Sequence, residues 1–191
     1  DEIGDNSIAI IEHRFHWITK RQIKYGRFNV GWVTFKNDTE GNKCLDRWLK
    51  DCLDWCYQKV EKERFGDQKY LNKWPTLYKK LKIVENIGAN VAIWNIKNYK
   101  WSFKNDRVYV NNTPLIFYHF ANIFQIDNHR FNTNLSRVLM PLRRVLKENV
   151  YEVFLKNITK YISNTSIKHK KDNHIKGFKK MIFNLSRKLR S

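Results

Sequence analysis

The sequence predicts a mixed α/β class, on three observations. Apolar runs rich in β-branched residues alternate with stretches whose apolar residues recur at helical spacing. Across 191 residues, 42% are hydrophobic and 15% aromatic, which supports a packed core and excludes a disordered chain. Strands are few and begin at residue 7, a lean count for a complete nucleotide-binding sheet.

The elements follow in order. "SIAIIEHRF" (7–15) is an apolar run ending in charge and predicts a buried strand entering a loop. "RFNVGWVTFKND" (27–38) predicts a second strand, broken at Gly31 and turned at Asn37-Asp38. Over 43–60, Leu45, Trp48, Leu49, Cys52, Cys56 and Val60 share one helical face. Asp67 to Leu77 predicts a short helix closed by Pro75, and 80–86 a short strand. "GANVAIWNI" (88–96) reads as a loop of small and amide residues. "RVYVNNTPLIFYHF" (107–120) predicts a hairpin that turns at Asn111-Asn112 and returns over Leu115 to His119. Helical spacing resumes from Leu135 to Ile162.

The formal charge of +19 attracts polyanions: nucleic acid, anionic lipid headgroups or phosphorylated substrates. Nine Lys or Arg and one acid, Asp172, fall from Ser163 onward. There Ile175, Phe178, Met181, Ile182, Leu185 and Leu189 form one helical stripe opposite the cations. Such a helix lies in a membrane interface or packs on its own domain with a solvated basic face. No nucleic-acid motif is present, so no specific nucleic-acid partner is expected. No stretch approaches the roughly 18 apolar residues of a membrane span. The spacing of Cys44, Cys52 and Cys56 fits no common zinc pattern and reads as reduced, buried thiols.

Four segments carry candidate site residues. His13 and Arg14 end the first strand, either as surface polar residues or with the arginine facing a phosphate. Asn29 offers a donor and an acceptor, and Gly31 either admits a ligand to the backbone or marks a bulge. Asp67 reads as a helix cap; Gln68 and Asn72, which a cap leaves idle, suit a polyhydroxyl ligand. His119 is either a core or edge histidine or a metal ligand.

Taken in order, "RFNVGWVTF", "FGDQKYLN" and "IFYHF" resemble the three C-terminal motifs of the glycogenin and bacterial lipopolysaccharide galactosyltransferase group. Those motifs are approximately F-N-[AS]-G, D-Q-x-x-L-N and a late H-F. The chain is similar as well to bacterial glycosyltransferases of surface-polysaccharide loci, through "HRF", "CLDWCY" and "GANVAIWN". The resemblance covers roughly residues 7–125. It implies the C-terminal part of a GT-A-type nucleotide-diphospho-sugar transferase fold, followed by a helical basic C-terminal tail. The expected parts are a GT-A-like half over 1–132, a helical extension over 133–162 and the basic amphipathic tail over 163–191.

In that family the Asp-Gln pair flanks the donor sugar. The resemblance therefore implies catalytic positions for Asp67 and Gln68. It implies substrate contacts from Asn29, Gly31 and Asn72, with His13 and Arg14 nearby and Trp94 and Asn95 on the acceptor side. It implies that His119 ligates a divalent metal, Mn²⁺ or Mg²⁺, at the diphosphate, where a metal neutralises developing charge. The expected partners are a nucleotide-sugar, a glycan or lipid-linked acceptor, and an anionic membrane in peripheral contact. The expected location is cytoplasmic, at the inner face of the plasma membrane. The family's Asp-x-Asp metal motif is absent from the chain, and its H-F-x-G motif becomes "HFAN". The expectation is thus a glycosyltransferase portion inactive alone, whose nucleotide-binding half lies upstream. The alternative is a basic nucleic-acid-binding or membrane-surface protein.

Overall fold

The computed structural model describes residues 2–121, 123–125, 131–132 and 142–164. Ile8–Glu12 forms β1, Phe28–Phe35 forms β2 and Leu81–Val84 forms β3, in a sheet ordered β2-β1-β3. Strand β1 runs antiparallel to β2 and parallel to β3. It is buried on both faces, which explains its unbroken apolar run. Ile8 and Ile10 pack with Phe28, Cys44, Leu71 and Trp74, whereas Ala9 and Ile11 pack with Val84 and Ala89.

The pairing of β1 with β2 is interrupted. Ile10 sits opposite Val33 and Ile11 opposite Asn29, so Val30 to Trp32 stand out of register as a wide bulge. The break expected at Gly31 is this bulge.

Helix α1 spans Thr39–Asp54, starting and ending earlier than the 43–60 expectation. Its start is fixed by Asp38, whose Oδ1 accepts from Gly41 N at 2.9 Å and whose Oδ2 accepts from Ser7 Oγ at 2.8 Å. Such a cap contributes about 1 kcal/mol. Its end is fixed by the extended backbone of Trp55. The buried face is correspondingly offset. Gly41 and Cys44 are buried, while Leu45, Leu49 and Val60 are exposed. All three cysteines are free, yet only Cys44 is buried, which corrects the expectation of three buried thiols.

The stretch expected as one helix over Asp67 to Leu77 is a 3-10 turn over Lys69–Lys73 followed by α2, Trp74–Leu77. Pro75 lies in the first turn of α2 and so opens it rather than closing it. The 3-10 turn starts after Gln68 without a side-chain cap, so Asp67 does not act as one.

The stretch 88–96 is far more buried than a loop reading implies. Ala89, Asn90, Val91, Ala92, Trp94, Asn95 and Ile96 are all buried. Val91–Ala92 forms β4. Next come β5 (Trp101–Lys104), β6 (Arg107–Val110) and β7 (Thr113–Pro114), an antiparallel three-stranded meander. Its turns are Asn105-Asp106 and Asn111-Asn112, with φ of 49° and 57° and of 48° and 67°. Positive φ at both central residues matches the twist of tight hairpins. The return strand expected over Leu115 to His119 is divided. Ile116 N donates to Gly88 O at 2.8 Å and turns the chain, and Tyr118–His119 becomes β8, parallel to β4. Phe124–Gln125 (β9) and Phe131–Asn132 (β10) pair antiparallel.

A second core joins Val91, Ile96, Val110 and Tyr118 to Leu146, Val150 and Tyr151. The last three come from α3 (Leu142–Leu146) and the π-helical turn Lys147–Tyr151. The first compact unit extends through Val153. The second unit begins at Phe154 and contains most of α4 (Glu152–Asn164). The amphipathic stripe over 174–190 and Asn122 of "HFAN" lie outside the described residues. Among the described residues, no helix is long and apolar enough to cross a membrane.

Candidate functional site

Six separate stretches contribute to one cavity of about 460 Å³. They are the exit of β1, the 3-10 helix Trp17–Tyr25, the bulge of β2, the residues around Gln68, the buried 88–96 stretch and β8. Six residues singled out in the sequence line it: His13, Asn29, Gly31, Gln68, Trp94 and His119.

Hydrogen bonds fix each of them. His13 Nδ1 lies 3.1 Å from the Arg27 carbonyl oxygen. A carbonyl only accepts, so Nδ1 carries the hydrogen and Nε2 keeps its lone pair. The ring is 5% exposed. It stacks on Phe15 at 4.6 Å and meets Trp94 edge-on at 5.2 Å. Burial pushes its pKa down to about 4, partly offset by the Arg27 carbonyl and reinforced by His119. Burial lowers His119 as well. Both imidazoles are therefore neutral at pH 7.

His119 sits 5.0 Å from the Trp94 ring. Gly31 lies against it: a Cβ there would fall 2.3 Å from His119 Nδ1. Asn29 is buried, and its Oδ1 accepts from Gly31 N across the bulge. Its Nδ2 has no partner among the described residues. Gln68 Nε2 donates to Tyr25 O at 3.0 Å, leaving Oε1 without a partner among them. Trp94 Nε1 donates to His13 O at 2.9 Å, which holds the indole beside both imidazoles.

The remaining wall was not anticipated. Phe15, Gln22, Tyr25, Val30 and Phe65 complete it, with the Tyr25 and Phe65 rings 4.7 Å apart. The two aromatics share a signal in the sequence, since each directly precedes a glycine. In a chain of net charge +19, no Lys, Arg, Asp or Glu among the described residues lines this cavity.

The other four candidates do not line it. Arg14, at φ 50°, donates from Nη1 to Asn86 O at 2.9 Å and from Nη2 to Ala89 O. Its guanidinium clamps a loop through these two carbonyls. Asn95 is fully buried. Its Oδ1 accepts from Ala92 N at 2.9 Å, and its Nδ2 donates to His13 O and Asn90 O at 2.8 and 3.0 Å. It pins the buried loop to the end of β1. Asn72 Oδ1 accepts from Arg27 N at 2.9 Å and braces the entry to β2. Asp67 is exposed, and its carbonyl accepts from Trp48 Nε1 at 2.8 Å. Its carboxylate lies toward Cys52 and Cys56. Burial first, then the neighbouring thiol and Asp67, push the Cys52 thiol up to about 12.

A divalent metal does not fit the described residues by themselves. Among them, no group of three or more His, Cys, Asp and Glu side chains could hold one. His119 supplies a single imidazole.

Comparison with known proteins adds relatives but no class. The chain is 44% identical over 109 residues to the uncharacterized protein YfnD of Bacillus subtilis (strain 168), covering 56% of this chain and 35% of that protein. It is 36% identical over 97 residues to the uncharacterized protein YfnF of the same strain, covering 50% and 32%. The chain spans about a third of the length of these curated relatives. No protein-family model matches it, and no solved structure matches it.

Proposed function

We propose that the cavity binds the sugar of a nucleotide-sugar donor, and that the chain is the sugar-facing portion of a glycosyltransferase. The acceptor would be a glycan or a lipid-linked sugar. The observation that carries this reading is the uncharged, polar and aromatic lining of the cavity within so basic a chain. A phosphate or nucleic-acid site would present cations; a hexose needs paired donors and acceptors and a flat apolar face. Among the described residues, Asn29 Nδ2 is a donor without a hydrogen-bond partner, and Gln68 Oε1 and His13 Nε2 are acceptors without one. The Trp94 ring supplies the face. The volume falls in the range of about 300–1,000 Å³ usual for ligand pockets. The gathering of Asn29, Gly31, Gln68 and His119 from three sequence motifs adds support.

In this reading Gln68 touches the sugar, while Asp67 acts through the backbone that carries Gln68. A Mn²⁺ or Mg²⁺ ion at the diphosphate would take its carboxylate ligands from outside the described residues, with His119 as one imidazole donor. The test is calorimetric titration with a panel of nucleotide-sugars and the matching free nucleotides. Some nucleotide-sugar binds more tightly than its nucleotide, and Gln68→Ala removes the difference. Equal affinity for every pair would overturn the reading.

A further inference from the structure

Trp17–Tyr25 is a nine-residue 3-10 helix with no buried residue. At three residues per turn it has three faces. One face, Thr19, Gln22 and Tyr25, turns toward the cavity, with Gln22 still exposed. Thr19 Oγ1 lies 2.7 Å from the Trp94 carbonyl oxygen, and Gln22 and Tyr25 line the cavity. The other two faces carry Trp17, Lys20 and Ile23, and Ile18, Arg21 and Lys24. All six are exposed. Trp17 is 76% exposed, Ile18 51% and Ile23 50%. A single exposed apolar side chain is ordinary. Three of them within seven residues, interleaved with three cations and no acid, form a patch that marks an interaction surface.

We propose that this segment docks on an anionic phospholipid bilayer. Trp17, Ile18 and Ile23 enter the headgroup layer, while Lys20, Arg21 and Lys24 face the lipid phosphates. Charge complementarity selects the occupant. Tryptophan favours the membrane–water boundary, and lysine and arginine extend their ammonium and guanidinium groups to the phosphates while their stems lie along apolar surface. Nucleic acid would engage the cations and the indole but leave both isoleucines in water. A bilayer uses all six side chains. The nearby Arg27 is already paired with Glu12 and is not counted. Because another face of the same helix forms part of the cavity wall, docking places that wall next to the membrane surface. The docking does not depend on which ligand the cavity takes.

The test is co-sedimentation of the full chain with vesicles of phosphatidylcholine, with and without about one-third phosphatidylglycerol, the anionic component that supplies the surface potential. The wild-type chain binds the anionic vesicles. Trp17→Ser/Ile23→Ser lowers the partition coefficient at least tenfold with an unchanged thermal midpoint, and Lys20→Glu/Arg21→Glu does the same. A control replaces Lys179, Lys180, Arg187 and Lys188 by Gln. Absence of wild-type binding, equal binding to neutral vesicles, or a loss of less than tenfold in the Trp17/Ile23 variant would each overturn the proposal. The last result is expected if the basic tail alone carries binding.

Discussion

Gly31→Ala tests whether the bulge of β2 and the His119 imidazole are as tightly apposed as the cavity geometry requires. The added Cβ would fall 2.3 Å from Nδ1 and 2.4 Å from Cε1 of His119, and 2.7 Å from Asn29 Oδ1. Real Cβ contacts stay above 3.0 Å, so His119 or the bulge must move by at least about 0.7 Å. The imidazole has little room, since the Trp94 ring is on one side and the bulge on the other. Overpacking of this kind costs about 1–3 kcal/mol. Urea denaturation should record that loss. The NMR titration of His119 should move back up toward 6.5, because a displaced ring regains solvent. An unchanged unfolding midpoint together with an unchanged His119 titration would refute the apposition.

Three further predictions concern the site and the loop that supports it. Stability should fall as pH drops from about 6.5 to about 4. The unfolded chain protonates His13 at the upper value and the folded chain only at the lower, so the stability is fully present above 6.5. The shift corresponds to about 3 kcal/mol at most, and His13→Asn should flatten the pH profile of chemical denaturation; a profile of unchanged slope would contradict the burial argument. Asn95→Ala strands the buried Ala92 amide and the Asn90 carbonyl, at about 1–3 kcal/mol each when unsatisfied, whereas the His13 carbonyl keeps its bond from Trp94 Nε1. Thermal melting should drop sharply, and a drop of only a degree or two would show that water replaces the side chain. Gln68→Ala should weaken nucleotide-sugar binding at least tenfold, about 1.4 kcal/mol, with Asp67→Asn changing it less than threefold, as calorimetry would register. The reverse order would return Asp67 to the site.

How much of this was legible beforehand can be read residue by residue. The central strand was legible because burial on both faces leaves an unbroken apolar run from Ile8 to Ile11. The end of α1 was not. Cys56 and Val60 continue the helical period that the extended backbone of Trp55 interrupts, and periodicity alone does not encode that turn. The 88–96 stretch was legible as a loop of small and amide residues, but not its burial: Asn90 and Asn95 use their amides to satisfy backbone groups inside the fold. Arg14 and Asn72 misled for a related reason: polar side chains that brace loops share the residue types of those that bind ligands. His13, Asn29, Gly31, Gln68, Trp94 and His119 were singled out by their residue types at strand ends and in loops and by the resemblance of the segments that carry them. Their common cavity depends on long-range packing that spacing does not reveal.

The central claim is that an uncharged cavity takes a sugar while the phosphates stay outside it. Saturation-transfer NMR on nucleotide-sugars tests it most directly, because it reports which ligand protons touch the protein. Hexose ring protons should receive the strongest transfer, and Trp94→Ala should abolish it. Transfer confined to the base, or hexose transfer that survives Trp94→Ala, would contradict the account.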